Sequence, residues 1–179
     1  MVFYFGIARG WNDSILPSKP NQCEIMKNSF IQPLSLVLPA TDGQATFLSV
    51  FGNNLALDEG CEHLGAYISS STRATEFEVC QLDNKEGFKD GDIFDGDNVV
   101  LKKLSFTPAQ AGALALCSRR EFGEKHFVLL VEADGKFFVA YIYLRDHGIG
   151  AHIRKPSDDH FWYQKDLRIV LPKQDPLVT

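Results

Sequence analysis

Apolar and polar positions along this chain fall mostly into short runs with a period near two, and almost nowhere into the 3.6-residue recurrence of an amphipathic helix. The strand-like runs are "VFYFGIA", "LSLVLP", "TFLSVF", "LGAYIS", "TEFEVCQL", "NVVLKKLSF", "ALALCS", "HFVLLVEA", "KFFVAYIYL", "GAHIRK", "HFWYQ" and "LRIVLP". Gly, Pro, Asn and Asp separate them, and the combination predicts an all-β chain. The one helical stretch that the pattern supports is "TPAQAGALAL", short, with Thr107 as its cap and Pro108 as its first residue. Asp134-Gly135, between two rich strands, predicts a two-residue hairpin.

Three of these runs carry a Gly-Ala pair, at Gly65-Ala66, Gly112-Ala113 and Gly150-Ala151. Each is followed, 12, 15 and 11 residues after its glycine, by an aromatic: Phe77, Phe127 and Phe161. An Asp-Gly turn precedes each unit. The spacing predicts a single domain over residues 1 to 179, with repeats at 42–80, 95–130 and 134–164 behind an N-terminal segment 1–41. Three such units around an axis bury apolar faces that one alone cannot, so the expected fold is a β-trefoil with pseudo-threefold repeats. A small four-bladed propeller and a β-sandwich are the alternatives. The QxW motif of ricin-type trefoils is absent.

Composition narrows the partners. A content of 45% hydrophobic residues in 179 suffices for a sizeable core. The formal net charge of -5 disfavours nucleic acid, which is bound through clustered Lys and Arg. No run reaches the length of a membrane span. The first residues lack a positive region and a cleavage site, so no signal peptide is expected. The cytoplasm is the preferred location, with secretion as the alternative. Cys23, Cys61, Cys80 and Cys117 show no CxxC spacing and read as small hydrophobes with free thiols.

Candidate chemistry is sparse. Asp90, Asp92, Asp95 and Asp97 in "KDGDIFDGDN" are suitable calcium ligands by type, but not at the spacing of an EF-hand. Tight Asp-Gly turns explain them as well, and no cofactor is expected. His63, His126, His147, His152 and His160, with Cys61, match no zinc pattern. No nucleophile elbow or phosphate-cradling loop is present, so a non-catalytic chain is expected. Two segments join an aromatic ring to polar acceptors: Trp11 with Asn12 and Asp13, and Trp162 with Asp158, Asp159 and His160. A sugar offers an apolar face and a fan of hydroxyls, which such pairs suit. The expected function is carbohydrate binding in the manner of a lectin. The alternative is a protein-binding or protease-inhibitor-type domain acting through a long loop, residues 83–98 or 14–29.

Overall fold

A computed structural model describes residues 30 to 82, 87 to 121, 126 to 145, 148 to 157, 160 to 162 and 167 to 173. Six of the twelve expected strand runs, and the last two residues of a seventh, enter one mixed sheet of eight strands. These are β1 (Phe30–Leu38), β2 (Leu55–Leu57), β3 (Thr75–Leu82), β5 (Ser105–Phe106), β6 (His126–Ala133), β7 (Lys136–Arg145), β8 (Gly148–Arg154) and β10 (Leu167–Pro172). A separate ribbon joins β4 (Phe88–Lys89) to β9 (Phe161–Trp162). Among the described residues strand is the commonest state, at 45%, and helices are few, which agrees with an all-β class at that coarse level.

The sheet order is β1, β3, β10, β6, β7, β8, β2, with β5 also paired to β6. Its centre is covered on both faces, and the alternation of side chains along β6 explains how. Phe127, Leu129 and Val131 enter one core, while Val128 and Leu130 enter the other. That double burial is why "HFVLLV" reads as an unbroken apolar run. The expected hairpin joins β6 to β7. Asp134 has φ 52° and Gly135 φ 70°, the paired left-handed conformation that matches the twist of the flanking strands.

Three helices form where strands or turns were expected, and a fourth extends the helical stretch expected after Thr107. "TFLSVF" makes α1 (Phe47–Phe51), whose cap is reciprocal: Ser49 N donates to Thr46 Oγ1 at 3.1 Å, and Thr46 N donates to Ser49 Oγ at 2.9 Å. Phe47 and Phe51, one turn apart, are both buried. A single turn, α2 (Asp90–Ile93), follows β4. "NVVLKKL" makes α3 (Asn98–Leu104), because Asp97 Oδ1 accepts from Val99 N and Val100 N, each at 2.9 Å. Capping overrides the strand preference of the two valines.

"ALALCS" belongs to α4 (Pro108–Glu121). Thr107 caps it as expected, in a full capping box: Gln110 N donates to Thr107 Oγ1 at 3.2 Å and Thr107 N to Gln110 Oε1 at 2.9 Å. Ala111, Leu114, Ala115 and Ser118 are buried, a helical and not an alternating pattern. The helix lies over the first face of the sheet, with α1; α2, α3 and the β4–β9 ribbon cover the second.

The three Gly-Ala pairs stand in unlike surroundings. Gly65 is in a 3-10 turn (Glu62–Ala66), Gly112 in α4 and Gly150 in β8. The described residues therefore show neither the threefold repeat nor a trefoil or propeller built on it. What the glycines at 112 and 150 share is close approach: a Cβ at Gly112 would press on Val50 and one at Gly150 on the Tyr143 ring. Among the described residues no helix is long and apolar enough to cross a membrane.

Candidate functional site

β2 and β8 run parallel, with Leu55, Ala56 and Leu57 opposite Ala151, His152 and Ile153. Parallel strands leave a sheet at the same end, so Asp58 and Glu59 emerge beside Arg154, Lys155, Pro156 and Ser157. Together with His160 these residues line an open cleft of about 550 Å³. Asp58 N donates to the Ile153 carbonyl at 3.0 Å and extends the pairing to the cleft's edge. Gly60, at φ 79°, completes the turn, and a Cβ there would fall 2.7 Å from Lys155 Nζ. The absent side chain leaves room for the ammonium.

The residue that anchors this end is Asp90, 1% exposed. Its carboxylate faces the Arg154 guanidinium squarely, with Nη1 to Oδ2 and Nη2 to Oδ1 both at 2.7 Å. Trp162 Nε1 donates to Oδ1 at 2.8 Å, and Ser157 N donates to Oδ2 at 2.9 Å. Two buried charges so paired and hydrogen-bonded are tolerated where a lone one would not be. Arg154 Nη1 also donates to the Lys155 carbonyl at 3.1 Å. The guanidinium carbon lies 5.1 Å from the centroid of the Trp162 ring, a cation–π contact. Arg154 Nε is buried and has no hydrogen-bond partner among the described residues.

Trp162 differs from its expected role. Only 8% of it is exposed; Phe88 stacks at 6.4 Å, Tyr141 lies at 5.3 Å and His160 meets it edge-on at 4.4 Å. Its ring is a core element whose N–H is spent on Asp90, so it presents no platform to a sugar. His160, half-buried, does line the cleft. Asp158 and Asp159 lie outside the described residues, as do Trp11, Asn12 and Asp13. Asp58, Glu59, Arg154 and Lys155 were not singled out in the sequence, where the strands that carry them are far apart. The available signal was Arg154 itself, a charge on an inward position of an otherwise apolar strand.

Burial holds the His160 pKa below its ordinary 6.5, and the nearby Arg154 charge acts in the same direction. The ring therefore stays neutral in the folded chain at pH values where an unfolded chain already binds the proton. Stability from this source is present above 6.5 and is lost as pH falls toward the lower folded value. His160→Gln is expected to flatten that part of the decline in urea melts compared at pH 7.5 and 5.5; parallel profiles would refute it.

The four aspartates weighed for calcium do not converge. Asp90 is locked to Arg154, Asp92 Oδ2 accepts from Lys89 N at 2.7 Å, Asp97 caps α3 and Asp95 is exposed. Among the described residues no three His, Cys, Asp or Glu side chains gather to hold a metal. His152 Nε2 meets Asp58 Oδ1 at 2.6 Å at the rim, and both side chains are well exposed. Cys61, Cys80 and Cys117 carry free thiols, and Cys23 lies outside the described residues. Burial raises the Cys61 pKa and pushes Cys80 up to about 12, so neither is an activated nucleophile; Cys117, at the surface of α4, is not the buried hydrophobe expected.

Sheet and cleft together define a β-rich chain with a polar recess beyond a parallel pair of strand ends. No family model, curated protein or solved structure matches it.

Proposed function

We propose that this chain is a non-catalytic, lectin-like binding module that takes a carbohydrate in the cleft between the ends of β2 and β8. The observation that carries the reading is the cleft's lining: acceptors on Asp58 and Glu59 share one open recess with the cationic side chains of Arg154 and Lys155 and the apolar ring of Pro156. A fan of hydroxyls that both donate and accept suits such walls. Arg154, fixed from behind by Asp90, gives the site a rigid side, and rigidity lowers the entropic cost of binding.

The loop-insertion alternative draws less support. Residues 14 to 29 and 83 to 86 lie outside the described residues, and in the remainder Phe88, Ile93 and Phe94 are buried with Asp90. A segment so packed has little left to place in a partner's cleft.

A glycan array with the full chain tests the proposal. The expected result is binding to a subset of glycans, reduced about tenfold in the double variant Asp58→Asn/Glu59→Gln by the loss of two acceptors, with an unchanged melt. A blank array, or equal binding by the variant, would overturn it.

A further inference from the structure

We infer that the binding surface continues from the cleft over the sheet to the ring of Tyr143, so that the ligand is an oligosaccharide with one unit in the cleft and the next stacked on that ring. The inference rests on the carbohydrate reading above and extends it to the length of the ligand. Side chains two residues apart share one face of a strand, so Gly150, His152 and Arg154 stand in line on β8, about 7 Å from one to the next. Arg154 lines the cleft. Tyr143 is the β7 partner of Gly150 and Tyr141 that of His152, which puts both tyrosines on the same face. A row of adjacent rings marks the route: Tyr143 to Tyr141 at 5.9 Å, Tyr141 to Trp162 at 5.3 Å, and Trp162 to His160, at the cleft, at 4.4 Å.

Burial changes along that row. Trp162 is covered, whereas Tyr141 and Tyr143 are half-buried. The phenol end of Tyr143 lies over Gly150, where any Cβ would stand, and its Oη donates to the Asn54 carbonyl at 3.2 Å. Glycine beneath and a hydrogen bond at the tip hold the ring in place, and a ring already held loses little entropy when a ligand meets it. Between Tyr143 and the cleft the floor is low and its rim polar. Ala56, opposite His152 on β2, is small and exposed, and His152 Nε2 meets Asp58 Oδ1 at 2.6 Å. An aromatic ring beside hydrogen-bonding groups suits a pyranose, which has a C–H face and a set of hydroxyls. One sugar occupies one of the two places; linked units reach both, and the second contact is then intramolecular.

The glycan array, read by chain length with the full protein, tests the inference. Di- and trisaccharides are expected to bind about tenfold more tightly than the matching monosaccharides, the scale of one added contact. Tyr143→Phe keeps the ring and should keep that gain. Tyr143→Leu fills much of the same space without a ring and should abolish the gain while monosaccharide binding stays. In the unsubstituted protein, the Tyr143 ring protons should shift in NMR spectra on adding the best-bound disaccharide of the array and stay in place on adding its monosaccharide. Should Tyr143→Leu fail to fold, the ring shift decides alone. Equal binding of short and long glycans, a gain that survives Tyr143→Leu, a gain that Tyr143→Phe already removes, or a ring that does not respond to the disaccharide overturns the extension and leaves the carbohydrate reading standing. A blank array overturns the two together.

Discussion

Asp90→Ala is expected to lower the folding free energy by about 3 to 5 kcal/mol, the usual cost of removing one partner from a buried ion pair. The carboxylate accepts from four donors: two Arg154 Nη groups, Trp162 Nε1 and Ser157 N. Its removal leaves the guanidinium of Arg154 in the interior with no counter-charge. Two further N–H groups lose their acceptor at the same time. Urea unfolding at neutral pH measures the loss, and the double variant Asp90→Ala/Arg154→Met supplies the control. With both charges gone, the orphaned cation no longer contributes, so the double variant should be more stable than Asp90→Ala alone. A loss below about 1 kcal/mol for Asp90→Ala, the level of an exposed pair, would show that water reaches this pair.

Trp162→Ala should cost a similar amount, about 3 to 5 kcal/mol, as large aromatic truncations in a core do. The ring sits among Phe88, Tyr141, His160 and the Arg154 guanidinium, and its N–H is one of the donors to Asp90. Truncation therefore leaves a cavity and withdraws a hydrogen bond. Because Trp162 and Asp90 share that bond, the combined variant should lose less than the sum of the two. Lost sugar binding in Trp162→Ala with an intact melt would instead mark the ring as an exposed platform, against its burial.

The strands were legible in this chain for a local reason. "TEFEVCQL", "HFVLLVEA" and "LRIVLP" coincide with β3, β6 and β10, since β-branched and aromatic residues between turn formers identify themselves over six or eight positions. The β6–β7 hairpin was equally plain, because Asp134-Gly135 encodes its own backbone conformation. The short helices were misread for the opposite reason. "TFLSVF" and "NVVLKKL" hold strand-like residues, and the side chains of Thr46, Ser49 and Asp97 tip the balance through hydrogen bonds that a periodicity count does not weigh. The three Gly-Ala pairs stand in a 3-10 turn, a helix and a strand, settings that a two-residue motif does not distinguish.

By itself, then, the amino-acid sequence determined where the longer strands such as β3, β6, β7 and β10 form, which turn closes β6 onto β7 and that Thr107 opens a helix. Each depends on neighbours within a few residues. Only the tertiary structure decided that the strands enter one mixed sheet, that Trp162 is buried and that a cleft exists at all. The cleft requires β2 to run parallel to β8, which brings together residues 94 apart such as Asp58 and His152. Its floor requires Asp90 to meet Arg154 across 64 residues. Pairing at that range is selected by the burial of both sheet faces and by the cost of leaving a charge alone in the interior, and neither leaves a mark in the local pattern.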